Sequence, residues 1–260
     1  MTASTEVTYE LTAGVAVLTL NRAASLNALT LPMVERIIDG ARRADREAKV
    51  LLIRAGGRAF CAGRDLGDAR PGEEDGGQVL AEVFNPMVRA VDELDLPTVA
   101  AVQGAALGAG LGLALACDVI LAADTAKIGS PFASIGAVLD SGARRAFVER
   151  LGPAVAMDLI YSGRFLSGVE AAAAGLVSRA LPADELDQAA RAYAAALAAG
   201  PTLAFRESKR LVRELSERPF TLAETLDREA QAQSRASRTK DYAEGFTAFL
   251  ERRPPRFRGE

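Results

Sequence analysis

The 260-residue chain contains no histidine. That absence removes Ser-His-Asp and Cys-His hydrolases, and any zinc site built on imidazole. Proton transfer near neutral pH is left to Asp, Glu, Lys, Tyr or Cys. Cysteine is scarce: Cys61 and Cys117 stand far apart in the sequence and read as reduced thiols. No apolar run reaches the roughly 20 residues a membrane span needs. Residues 1–9 are polar and acidic, without the basic start and apolar run of a secretory leader. A formal net charge of −3 argues against a broad nucleic-acid or anionic-membrane footprint. The expectation is a cytoplasmic protein with neither nucleic acid nor membrane as partner.

What is present is ordinary globular material, 49% hydrophobic and 25% charged, enough for one large domain or a domain with an appendage. Residues 6–11 and Val15–Leu20 read as a hairpin around Ala13-Gly14. Leu31–Glu47 carries helical periodicity, with Thr30 as N-cap and Pro32 in the first turn. Val50–Ala55 and Thr98–Val102 read as strands, residues 79–94 as a helix, and 64–78 as a loop rich in Gly, Asp, Glu and Pro. A further strand covers 118–122. Beyond Ser141 the pattern is almost all helix. The order predicts an α/β core with a C-terminal helical extension.

Three segments carry candidate chemistry. Residues 57–66 place Gly57, Ala59, Ala62 and Gly63 directly after a buried strand. A ligand could approach backbone N–H groups there; composition alone favours a plain strand-to-loop turn, since glycine clusters mostly punctuate. Residues 104–112 are a Gly/Ala run before a helix. The glycine spacing does not match the dinucleotide fingerprint, which leaves an oxyanion-holding helix start or close helix packing. Residues 134–143 hold one acid, Asp140, in an apolar, Gly-flanked stretch ahead of a helix. Asp140 is either the cap of that helix or a site carboxylate, and the two roles are compatible.

Together these segments resemble the crotonase (enoyl-CoA hydratase/isomerase) superfamily over nearly the whole chain. Leu18-Thr19-Leu20-Asn21-Arg22 with Leu26-Asn27-Ala28-Leu29 is similar to its opening strand and first coenzyme A contact. Phe60-Cys61-Ala62-Gly63-Arg64-Asp65-Leu66 matches the pattern F-[SC]-A-G-x-D-L. Gly108-Ala109-Gly110 followed by Leu113-Ala114-Leu115-Ala116-Cys117-Asp118 resembles the second signature. Within the superfamily, Phe84-Asn85-Pro86-Met87, Leu139-Asp140-Ser141-Gly142 and the tail from Asp241 are most similar to the epoxyphenylacetyl-CoA isomerases of phenylacetate degradation.

The resemblance implies a crotonase-like ββα spiral core over residues 1–200 and a helical trimerisation region over 201–260, in trimers or dimers of trimers. It implies an acyl-CoA thioester as substrate, with no separate cofactor and no metal. The backbone N–H groups of Arg64 and Ala109 become an oxyanion hole. Ser25, Leu26, Ala62, Asp65, Leu66, Phe132 and Arg252 become substrate or CoA contacts, with Arg252 suited to phosphate. The two glutamates of the hydratases fall at Gly112 and Phe132, which transfer no protons. Asp140 falls where isomerase relatives place an essential aspartate, in apolar surroundings expected from Phe132, Ile135, Val138 and Leu139. The expected activity is therefore isomerisation, as a double-bond shift or an aryl-epoxide ring expansion. The alternatives are a hydratase recruiting Asp68 or Glu73, a catalytically silent acyl-CoA binder, and a dehydrogenase of another fold.

Overall fold

The computed structural model describes residues 6–67, 69, 70 and 72–260. Residues 1–5, within the polar N-terminal segment, and Asp68 lie outside the described residues.

A hairpin opens the chain, with β1 (Val7–Thr12) antiparallel to β2 (Val15–Leu20). Each later strand joins in parallel, which requires a crossover between partners. From β2 the chain passes through α1 (Leu31–Glu47) to β3 (Val50–Ala55), and then through α2 (Gly76–Val79), a π-helical turn (Leu80–Phe84) and α3 (Asn85–Asp92) to β4 (Thr98–Val102). β5 (Ala105–Leu107) and α4 (Ala109–Leu115) lead to β6 (Val119–Ala123). β7 (Lys127–Gly129), α5 (Ala143–Leu151), α6 (Pro153–Ser162) and α7 (Gly168–Ala173) precede β8 (Arg179–Leu181), the last strand of a six-stranded sheet ordered β1-β2-β3-β4-β6-β8. β5 and β7 pair separately, in parallel. The helices α8 (Leu186–Ala198), α9 (Thr202–Glu217), α10 (Leu222–Ala236) and α11 (Lys240–Glu251) complete the chain.

Side chains alternate between the two faces of a strand, yet every residue of β4 and all but Arg54 of β3 are buried. Both faces of the central sheet are therefore covered, as a parallel sheet of continuous apolar strands requires. α8 packs across β2, β3, β4 and β6, while α1 packs on β1–β3 and α3. Thr30 caps α1 through its hydroxyl, which accepts from the Met33 N–H at 3.4 Å. Thr221 begins α10 with a capping box to Glu224, as Ser167 does for α7 with Glu170.

The sequence pattern misses three elements, β5, β7 and β8. Each has three residues, too few for alternation to register. The segment expected as loop over 64–78 is already helical from Gly76, where the Asp75 carboxylate accepts from the Gly77 and Gln78 N–H groups. No helix among the described residues is long and apolar enough to cross a membrane.

Cys61 and Cys117 are both buried, and burial pushes each thiol up to about 12. Native protein near pH 8 should leave both thiols unreactive toward an aromatic disulfide reagent, with two equivalents appearing on denaturation. Rapid native labelling at either position would contradict this burial.

Candidate active site

The site is assembled on the segment that follows β3. Residues 60–65 run as an extra strand between two neighbours. On one side Phe60 N–H donates to Gln103 O (2.7 Å), Cys61 N–H to Ala105 O (2.9 Å), and Leu107 N–H to Cys61 O (2.9 Å). On the other, Ala62 N–H donates to Leu26 O (3.0 Å), Leu29 N–H to Gly63 O (2.7 Å), and Asp65 N–H to Leu29 O (2.9 Å). The Gly63 N–H meets Cys61 Sγ at 3.4 Å. Only the Arg64 N–H of this segment has no acceptor among the described residues.

Across the gap, Ala109 is the first residue of α4 and its N–H has no intrahelical acceptor. The two loops are close. A Cβ on Gly63, whose φ is +94°, would stand 2.9 Å from Leu107 O and 3.7 Å from Ala109 N. A side chain at 63 would push the β5 end away and open the gap between the two free N–H groups.

Asn27 knots the same loops from below. It is fully buried, and Oδ1 accepts from Arg22 N–H (2.7 Å) while Nδ2 donates to Gly56 O (2.9 Å) and Ala59 O (2.8 Å). Its φ of +55° follows Leu26 at +52°, a left-handed pair that turns the chain back toward Ala62. Ser25 and Leu26, both half-buried, thereby sit beside Ala62. Asp65 forms an ion pair with Arg22 and accepts from Gly67 N–H (2.8 Å); these hydrogen bonds hold its carboxyl below the usual range. Its side chain thus shapes the loop. Leu66, 68% exposed, extends from that loop into solvent. The Arg64 guanidinium reaches Glu74 at 2.8 Å, which ties the 66–75 excursion to the same strand.

Asp140 does not cap α5. The cap is Gly142, without a side-chain bond, and the Asp140 carboxylate instead accepts a 2.8 Å hydrogen bond from the Ser141 hydroxyl. The left-handed φ values of Ser141 (+53°) and Gly142 (+78°) turn the chain before the helix and carry the Asp140 side chain away from its first N–H groups. Asp140 is half-buried and lines a cleft of about 770 Å³ with Gly76, Gly77, Leu80, Val138 and Val148. It is the one carboxylate among the described residues lining that cleft; Arg144 and Arg145 are its charged neighbours. Burial raises the Asp140 carboxyl above its ordinary value, and the Ser141 bond opposes that rise.

The expected apolar surroundings are only partly those present. Leu139 and Val138 line the cleft, but Phe132 and Ile135 do not. The 3-10 turn Phe132–Ile135 ends at Gly136 with φ +68°. The Phe132 ring lies 3.3 Å from where a Cβ on Gly108 would stand, next to Ala109, and Ile135 is 63% exposed. Leu80 and Val148 take their place, and neither was visible as a neighbour of residue 140 from sequence distance alone. Glu73 is exposed and does not line the cleft. Arg252 is exposed, in a left-handed conformation at the end of α11, and is not brought to the other candidates within the chain. No group of three or more metal-ligating side chains occurs among the described residues.

Gly112 has no room for a side chain. A Cβ there would lie 2.4 Å from both Ser141 Cβ and Ser141 O. The Asp140–Ser141 turn itself fills the space into which a side chain at 112 would extend. Asn27→Ala should lower stability by about 3 kcal/mol, because the three hydrogen bonds of a fully buried amide are lost. Urea denaturation measures this, and a loss under about 1 kcal/mol would show that the loops hold without the knot.

Comparison with known proteins identifies the family and the fold. A protein of Rhodobacter capsulatus named "Probable enoyl-CoA hydratase" is 38% identical over 253 residues, covering 97% of this chain and 98% of that one. The 1,2-epoxyphenylacetyl-CoA isomerase of Escherichia coli is 34% identical, covering 95% and 96%. The crystal structure of an enoyl-CoA hydratase from Bacillus anthracis superposes with a TM-score of 0.91 at 30% identity, over 98% of this chain and 100% of that chain. The fold is the crotonase fold, as the motifs implied. Residues 10–260 match the enoyl-CoA hydratase/isomerase family as a whole, and the chain belongs to that family of enzymes acting on CoA thioesters.

Proposed function

We propose that this enzyme is an acyl-CoA isomerase in which Asp140 moves one proton between carbons of the acyl chain. The observation that carries the reading is the filled space at Gly112. A hydratase needs acids to position and activate water, and here the first such position is occupied by the turn that presents Asp140. Position 132 offers a phenyl ring.

For a 3-enoyl thioester the steps balance with one acid. The Asp140 carboxylate takes a proton from C2, and the C–H electron pair passes into a dienolate whose charge rests on the thioester oxygen. The N–H groups of Arg64 and Ala109 donate to that oxygen. A preorganised donor of this kind is worth about 3 kcal/mol in the transition state. Asp140 then returns the proton at C4, leaving the double bond at C2. An aryl-epoxide thioester, the substrate type named for the Escherichia coli relative, offers the same carboxylate and oxyanion hole a ring-opening isomerisation to an oxepin. A raised carboxyl pKa suits either, since a stronger base abstracts a carbon acid's proton more readily.

Coenzyme A is proposed to lie along Ser25, Leu26, Ala62 and Leu66, on the loop that Asp65 braces. Arg252 is proposed to meet its phosphates from a neighbouring copy, in a trimer or dimer of trimers.

Asp140→Asn should abolish conversion of a 3-enoyl-CoA, followed by NMR of the double-bond position, while CoA-ester affinity holds. Wild-type turnover in that variant, or hydration of a 2-enoyl ester at the rate of isomerisation, would overturn the reading. The same variant tests the burial. A carboxyl raised in the folded state binds its proton more tightly there, so ionisation costs stability. That cost is absent below the unfolded value of about 3.9 and complete above the folded one. Asp140→Asn should therefore melt above wild type near pH 7, with the difference closing as pH falls through the carboxylate range.

A further inference from the structure

We infer that Ser141 is a positioning residue for Asp140: its hydroxyl holds one carboxylate oxygen and leaves the other to meet the substrate, and the bare α-carbon of Gly112 gives it room to do so. The inference rests on the reading of Asp140 as the proton carrier.

The Ser141 hydroxyl donates to Asp140 Oδ1 at 2.8 Å, and no hydrogen bond reaches Oδ2 among the described residues. A carboxylate with one oxygen held and one free is fixed about its last torsion and keeps a single site for an incoming proton. Ser141 cannot itself be that site. It is 3% exposed, behind Asp140 and against α4. It therefore acts through Asp140 and does not touch the acyl chain.

The backbone supports the assignment. Ser141 has φ +53°, a conformation that glycine adopts without strain and serine does not. Gly142, next in the chain, is also left-handed. What the serine adds over a second glycine is its one hydrogen bond, to Asp140. The strained turn packs against α4, where Gly112 lies in contact with Ser141 Cβ and O. Ser141 and Gly142 line the cleft and also an adjoining cavity of about 540 Å³.

Charged groups near this pair come from several elements. On α5, Arg144 lines the cleft, Glu149 and Arg150 line the adjoining cavity, and Arg145 lines both. Across that cavity stand Asp92 of α3, Asp118 ahead of β6, and Lys209, Arg213 and Glu217 of α9. Most are already engaged. Arg144 donates to Leu139 O, Arg145 to Glu149 and Ser216 O, Arg150 to Leu176 O and Leu115 O, Lys209 to Asp118 and Leu96 O, and Arg213 to carbonyls at the end of α3. None of these contacts reaches the Asp140 carboxylate, whose one hydrogen bond is from Ser141.

The test is a pH–rate profile on a 3-enoyl-CoA ester, taken from neutral pH down through the carboxylate range as far as the enzyme stays folded. It compares wild type, Ser141→Ala, Ser141→Gly and Asp140→Asn, each checked for folding by thermal melting. Losing a donor to the ionised carboxylate should move the acid limb of kcat up by about one pH unit, with KM little changed. Glycine suits the backbone at 141, so Ser141→Gly reports on the hydroxyl even if the alanine variant folds poorly. The same upward movement in Ala and Gly variants supports the inference. An unmoved acid limb, with kcat unchanged or lowered evenly at all pH values, overturns it, as does a shift in the alanine variant that glycine abolishes. If Asp140→Asn turns over normally, the proton-carrier reading fails and takes this inference with it. If that variant is dead while the limb stays in place, only the inference fails.

Discussion

The site depends on the sharing of one short segment, residues 60–65, between two neighbouring backbones. Its hydrogen bonds alternate, first to the 103–107 stretch and then to the 26–29 turn. A segment paired on both sides cannot slide, because a one-residue slip would break bonds on both edges at once. The Asn27 amide fixes the third direction by joining Arg22, Gly56 and Ala59. One N–H, that of Arg64, is left over, next to Gly63, whose α-carbon lies close to the start of α4. The free donor follows from satisfying all the others, and it is rigid for the same reason. Rigidity is what an electrostatic site needs, since a donor that must reorient during reaction gives back part of its benefit.

The carboxylate side of the site is built differently. Asp140 stands on a turn with two consecutive left-handed residues, held by packing against α4 and by a single hydroxyl. Burial raises its proton affinity and Ser141 lowers it, so its basicity is a balance of two local effects. The arginines on the next helix, engaged with carbonyls and Glu149, do not enter that balance.

Much of this architecture was legible in the sequence, and the division has a physical basis. Leu31–Glu47, Val50–Ala55 and Thr98–Val102 coincide with their expected limits, because long periodic or continuous apolar runs report burial directly. The short strands β5 and β8 were invisible, since their pairing is imposed by the tertiary frame and not by alternation. Asp140 stands out as the lone acid in an apolar stretch, but its partner is not readable there: the pattern favours a helix cap, and only the left-handed Ser141–Gly142 turn redirects the side chain. Asn27 falls within the opening motif, but an asparagine beside alanine and leucine gives no sign of its three bonds to the backbone. Leu80 and Val148 lie far from 140 in sequence, and only the fold brings them to the cleft. The enzyme family came through motif resemblance, and composition contributed chiefly by excluding imidazole chemistry.

The contact between Gly112 and Ser141 also constrains descent. A glutamate at 112 and this turn at 140–142 compete for the same volume, so one chain cannot hold both in these positions. An ancestor with an acid on α4 could not acquire the Asp140 turn one substitution at a time while keeping its old machinery in place. The first change either evicts the existing carboxylate or prevents the new one from seating. Paths between the two arrangements cross a state with neither, or wait for a backbone change that makes room. Swapping single acids between such enzymes should therefore transplant activity poorly, and the smallest exchangeable part is the pair of facing segments.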